Sequence, residues 1–98
     1  MAFDALPPEL AEHLAAICAA QLSGRLEPQM PYAPGKGLRG VSRLGDDAGQ
    51  ETMIREDITR DQLRALEGRG YLSLATPRSQ WSVTATAKAL TEYDKSSN

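Results

Sequence analysis

The stretch Ile58 to Leu90, ITRDQLRALEGRGYLSLATPRSQWSVTATAKAL, constrains the fold more than any other part of the chain. It carries a helix start, a helix stop and two period-two segments in direct succession. Thr59 is placed to cap a helix, and Gln62 three residues on can reach back to the cap's own N–H, the reciprocal arrangement of a capping box. Ile58 and Leu63 have the spacing of a hydrophobic staple across that cap. Gly68 and Gly70 tolerate a left-handed backbone, so the helix is expected to stop within Gly68-Arg69-Gly70 after roughly three turns.

Beyond the stop, Tyr71–Ala75 and Gln80–Thr84 alternate at period two, with Leu72, Leu74, Trp81 and Val83 as the apolar members. An antiparallel hairpin about Thr76-Pro77-Arg78-Ser79 sets Leu74 opposite Trp81 and Leu72 opposite Val83, all four on one face. Pro77, with its fixed negative φ, fits a type I turn and disfavours a tight primed two-residue loop. Trp81 reads as the core anchor of this hairpin. Tyr71 is a candidate exposed aromatic.

Upstream, residues 7–22 read as a first helix with prolines in its first turn, Glu9 and Glu12 near the positive end of its dipole, and Ser23-Gly24 as its stop. Leu10, Leu14, Ile17, Cys18 and Gln21 or Leu22 form the buried stripe. Ala11, Ala15 and Ala19 would let another helix pack close, within the domain or in a dimer. Between Arg25 and Asp57 prolines and glycines break any long period. The expectation there is a loop to about Gly37, a strand over Leu38–Leu44, a turn over Gly45–Gly49 and an extended run over Gln50–Asp57. The competing reading is a short helix over Asp46–Met53.

Length and charge set outer bounds. A chain of 98 residues is one domain, and area scaling leaves roughly 5,500 Å² of some ~15,400 Å² exposed, enough burial for a single core. Residues 1–6 and 94–98 are expected to be flexible ends. A net charge of −2 has the wrong sign for a surface that attracts phosphate everywhere, so any nucleic-acid contact must come from local patches. Cys18 alone forms no internal disulfide, and no apolar run reaches membrane-spanning length, which together point to a cytoplasmic protein.

Catalytic constellations are thin. Glu9 and His13, one helical turn apart, have no further Cys or His to complete a metal site, and a surface ion pair is the simpler reading. His13 is the single histidine, so a Ser-His-Asp arrangement has only one candidate base and no elbow motif. The Pro34–Gly40 loop lacks the spacing of a phosphate-binding loop. No enzyme activity, cofactor or metal is expected.

The order helix, Gly-containing stop, Tyr-Leu, hairpin and Val-Thr before a last helix resembles the C-terminal half of a winged helix-turn-helix domain of the MarR or PadR kind. Leu63 and Leu66 match the helix leucines, Gly70-Tyr71-Leu72 the helix exit, and Val83-Thr84 the approach to the last helix, over about a third of the chain. Ala87 stands where that pattern usually has Gly, and residues 25–57 show no clean second helix.

The resemblance implies an α+β winged-helix-like domain with helices packed on a C-terminal antiparallel hairpin. It implies a small transcriptional regulator that binds double-stranded DNA, as a homodimer with one half-site per copy. Arg60 and Arg64 would then lie on the groove-reading helix, with Arg69 and Arg78 on flanking phosphates and Lys36, Arg39 and Arg43 along a second basic edge. Asp57, Asp61 and Glu67 oppose that role, and Arg64 with Glu67 also reads as a solvated i, i+3 pair. The alternative is a protein-binding adaptor or small inhibitor built on the same scaffold without DNA binding.

Overall fold

The structure, a computed structural model, describes residues 3–77 and 80–97. In chain order the elements are α1 (Pro8–Leu22), β1 (Met30–Ala33), β2 (Gly37–Val41), a 3-10 turn (Gly45–Asp47), β3 (Glu51–Arg55), α2 (Arg60–Gly68), β4 (Leu72–Ala75), β5 (Trp81–Ala85) and α3 (Ala87–Ser97).

The expected limits of α2 rest on complete backbone motifs. The Gln62 N–H donates to Thr59 Oγ1 at 3.2 Å and the Thr59 N–H to Gln62 Oε1 at 2.9 Å, so two N–H groups at the helix start find partners. At the other end Gly70 takes φ +83°, the Gly70 N–H reaches Glu67 O at 2.9 Å, and the Tyr71 N–H reaches Leu66 O at 3.0 Å. That pair of bonds is a Schellman ending, and the residues it brings together, Leu66 and Tyr71, are both buried. Thr86 then links the stop to the last helix: its hydroxyl donates to Gly70 O at 2.7 Å and accepts the Ala89 N–H at 3.3 Å.

The five strands form one antiparallel sheet in the order β3-β2-β1-β5-β4. Met30 opposes Val83, Tyr32 opposes Trp81, and Leu72 and Leu74 oppose Ala85 and Val83. This period-two set faces α1 and α2, which pack on the sheet while α3 packs against α1. Leu14, Ile17, Cys18, Met30, Leu38, Leu63, Leu66 and Val83 are fully buried in the resulting core. At about 1.5–3 kcal/mol for each large apolar side chain removed from water, they form the main cohesive term.

Several expectations need correction. The hairpin exists and its four apolar residues share a face, but the register is two residues from the expected one, with Leu74 opposite Val83 instead of Trp81. A two-residue step preserves side-chain facing, and it lengthens the connection around Pro77, whose ring disfavours a tight turn. The α+β class stands, but the helices do not sit on a lone hairpin: β4 and β5 are one flank of a wider sheet.

The loop expected up to Gly37 contains β1, and the rival helix over Asp46–Met53 is replaced by the 3-10 turn and β3. Short apolar alternations, Met30 with Tyr32 and Leu38 with Gly40, supply an inner face where prolines and glycines exclude a helix. Of the ends expected to be flexible, residues 1, 2 and 98 lie outside the described residues, and within 3–6 Phe3 and Leu6 are buried. Phe3 packs edge-on to Tyr71 at 5.4 Å between ring centroids. Helix α3 likewise continues through residues 94–97.

Candidate functional site

Strand register decides which basic residues meet. Arg60 and Arg64, one turn apart on α2, both lie over the Trp81 ring, each guanidinium carbon 4.9 Å from its centroid. Trp81 opens β5 and is only 9% exposed, so the two arginines lie against the indole of a core residue. A guanidinium held over an aromatic ring by cation–π attraction still has N–H groups for other acceptors. Arg64 uses one of them on Glu67, at 3.2 Å, the i, i+3 pair expected from the sequence. Among the described residues Arg60 has no ion pair.

Lys36 belongs to the β1–β2 turn just beyond Ala33 and Gly37, which puts it at the same end of the sheet as Trp81. The other expected site residues lie elsewhere. Arg39 pairs with Glu51 at 3.1 Å. Arg43 is at the opposite end of β2, where its N–H bonds Arg25 O. Arg69 caps the C-terminal end of α2, and its carbonyl accepts Lys88 Nζ at 2.8 Å. Arg78 lies outside the described residues. The structure therefore brings Lys36, Arg60 and Arg64 to one end and disperses Arg39, Arg43 and Arg69.

A second cluster was not anticipated. His13 is 3% exposed, and the surface ion pair expected with Glu9 is replaced by a bond from Arg55 Nε to His13 Nδ1 at 3.0 Å. An arginine side chain only donates, so Nδ1 must be the unprotonated nitrogen and the ring neutral. Arg55 also lies 3.8 Å from Asp57, and Glu9 accepts from Gln62 of α2 at 3.4 Å. Glu9, Glu12, His13, Arg55, Asp57 and Gln62 line a cleft of about 250 Å³.

Burial, and then the Arg55 charge, hold the His13 pKa below its ordinary value, against the opposing pull of Asp57, Glu9 and Glu12. One sequence signal was available. His13 lies three residues after Leu10 and four before Ile17, on the buried stripe of α1.

The remaining candidates are structural. Tyr71 is buried instead of exposed; its hydroxyl donates to Glu92 at 2.8 Å, which together with burial raises its pKa. Burial pushes the Cys18 thiol up to about 12, so it is un-ionised and weakly nucleophilic. Among the described residues no group of three or more His, Cys, Asp or Glu could hold a metal ion, and no helix is long and apolar enough to cross a membrane.

No protein-family model matches the chain, and neither a curated protein nor a solved structure is detectably similar to it.

Proposed function

We propose that this chain is a protein-interaction module that grips a short acidic segment of a partner protein with Arg60 and Arg64. What supports the reading is the stack of both guanidinium groups on Trp81. Side chains already restrained in the free protein lose less rotamer entropy on binding, and their N–H edges match carboxylate geometry. Arg and Trp are also the residue types that dominate interface energetics. Asp57, Asp61 and Glu67 lie on or beside the same helix, and the whole chain is negative, which favours a short acidic patch over a long polyanion.

Trp81 is the single tryptophan and so reports on this cluster directly. Titration with a hexaglutamate peptide at low salt is expected to give a saturable change in Trp81 fluorescence that the Arg60→Ala, Arg64→Ala double variant lacks. A flat titration, or an undiminished response in the double variant, refutes the reading.

The second reading is the winged-helix regulator that binds double-stranded DNA as a homodimer. One observation favours it: α2 leads through a glycine stop into a β-hairpin, as the resemblance implies. Against it, the span where a supporting helix would stand is occupied by the 3-10 turn and β3. Binding of a 20-base-pair duplex with a log–log salt slope of about −0.9 per neutralised phosphate, weakened by Arg64→Ala, would decide for it.

A further inference from the structure

We propose that His13 and Arg55 form a proton-operated latch that sets the first turn of α2 and, through it, the Arg60–Trp81–Arg64 stack. As regulation, this rests on the binding reading above; as a conformational coupling, it stands on the fold alone.

The latch joins three elements. His13 sits on the buried face of α1, Arg55 is the last residue of β3, and the connection from Arg55 leads directly to Thr59, the cap of α2. On the other side of the same helix start, Gln62 both completes the capping box and donates to Glu9 of α1. The groups facing the imidazole are Glu9 and Glu12 from its own helix, Arg55 from β3, Asp57 from the connection and the uncharged Gln62 from α2. They share a cleft of about 250 Å³, so the side chains have room to exchange partners.

Protonation reverses the central bond. The added proton occupies Nδ1, the atom that accepts from Arg55, so two donors then face each other and both carry positive charge. The guanidinium has Asp57 already 3.8 Å away, and the imidazolium has Glu9 one helical turn earlier. Repulsion across the former 3.0 Å bond drives the guanidinium further toward Asp57 and the imidazolium toward Glu9, which is also the partner of Gln62. The exchange releases α1 from β3 and disturbs both attachments of the α2 start. Burial and the Arg55 charge hold the His13 pKa below its ordinary value, so the latch is closed near pH 7 and opens only as pH falls through that lowered value.

The chain has one histidine and one tryptophan, so it can be tested intact and without any ligand. Between about pH 8 and pH 5, NMR would follow the His13 ring protons and the Arg55 Nε–H while fluorescence follows Trp81. The Arg55 resonance and the Trp81 signal are expected to change with the His13 midpoint. In His13→Asn, whose side-chain oxygen can still accept from Arg55, both changes should disappear over that range. In Arg55→Gln the His13 midpoint should move up and the Trp81 change should uncouple from it.

A Trp81 signal that stays flat while His13 titrates overturns the latch, and this reading needs no variant to fold. Retention of the same transition in His13→Asn overturns it as well, by assigning the change to carboxylates. Because no peptide or nucleic acid is present, failure of the acidic-segment reading leaves this result intact, and the converse also holds.

Discussion

The two flanks of the sheet are covered in different ways. On the β5–β4 side the cover is apolar: Leu63 and Leu66 of α2 lie in one core with Leu72, Val83 and Trp81. On the β2–β3 side α1 meets β3, and the named contact is polar, a buried histidine bonded to an arginine. Ile54 is only half-buried there, Met53 is 47% exposed, and β3 carries a bulge where Arg39 opposes Met53 and Leu38 opposes Arg55. Apolar burial is insensitive to proton concentration and non-directional. A buried donor–acceptor pair is geometry-dependent and titratable. The first flank therefore supplies cohesion and the second supplies response.

That contrast can be broken by substitution. Trp81→Ala is expected to cost about 3–5 kcal/mol, because it empties a site beside Tyr32 and removes the support of both arginines. Chemical denaturation would read the loss; a cost below about 1 kcal/mol would mean the apolar flank is not the cohesive one.

Next in size is Gly37→Ala on the meander side. Gly37 has φ +76°, and an added Cβ would stand 2.7 Å from Arg55 O and 3.0 Å from Glu56 Cα, both backbone atoms. Strain of roughly 1–3 kcal/mol is expected, with local opening of β3 visible in amide exchange. Gly35→Ala isolates the clash, since Gly35 has a similar φ of +78° with nothing within 4 Å. Equal costs at the two glycines would show that the turn does not press on β3. Thr59→Ala should cost about 1 kcal/mol by removing one half of the capping box.

The flanks also differ in how far they could be read from residues alone. Around α2 the determinants are local: Thr59 with Gln62, Gly70 after Leu66, and alternation through Val83, all within a few positions of what they control. The exception is the hairpin register, because the connection around Pro77 permits more than one length and both registers keep the apolar face inward. In the meander the determinants are long-range. Met30 becomes a core residue because Val83 lies opposite it, and the Leu26 side-chain tip fills the space beside Gly40, 2.5 Å from where a Cβ would stand. The alternation of Met30 with Tyr32 is too short to mark a strand by itself, and the partner that completes it lies about fifty residues away.

The same distinction explains the candidate sites. Arg60 and Arg64 were visible as an i, i+4 pair, but their shared ring comes from a strand some twenty residues away. His13 on an apolar stripe was visible, whereas Arg55 as its partner required the sheet.

The smallest expected effect is the pH dependence of stability, and it belongs to the polar flank. His13 has a folded-state pKa below its ordinary value of 6.5, so between the folded value and 6.5 the unfolded chain binds more protons than the folded one. Stability from this group is full above pH 6.5 and declines as pH falls through that value, until the folded ring is protonated as well. The effect is modest because burial and Arg55 push one way while Asp57, Glu9 and Glu12 push the other. Thermal midpoints at about pH 7.5 and pH 5.5 should therefore differ more in the wild-type chain than in His13→Asn. Carboxylate titration is common to both proteins and cancels in that comparison. An equal difference in the two would mean that the flank reading as responsive is as indifferent to protons as the apolar one.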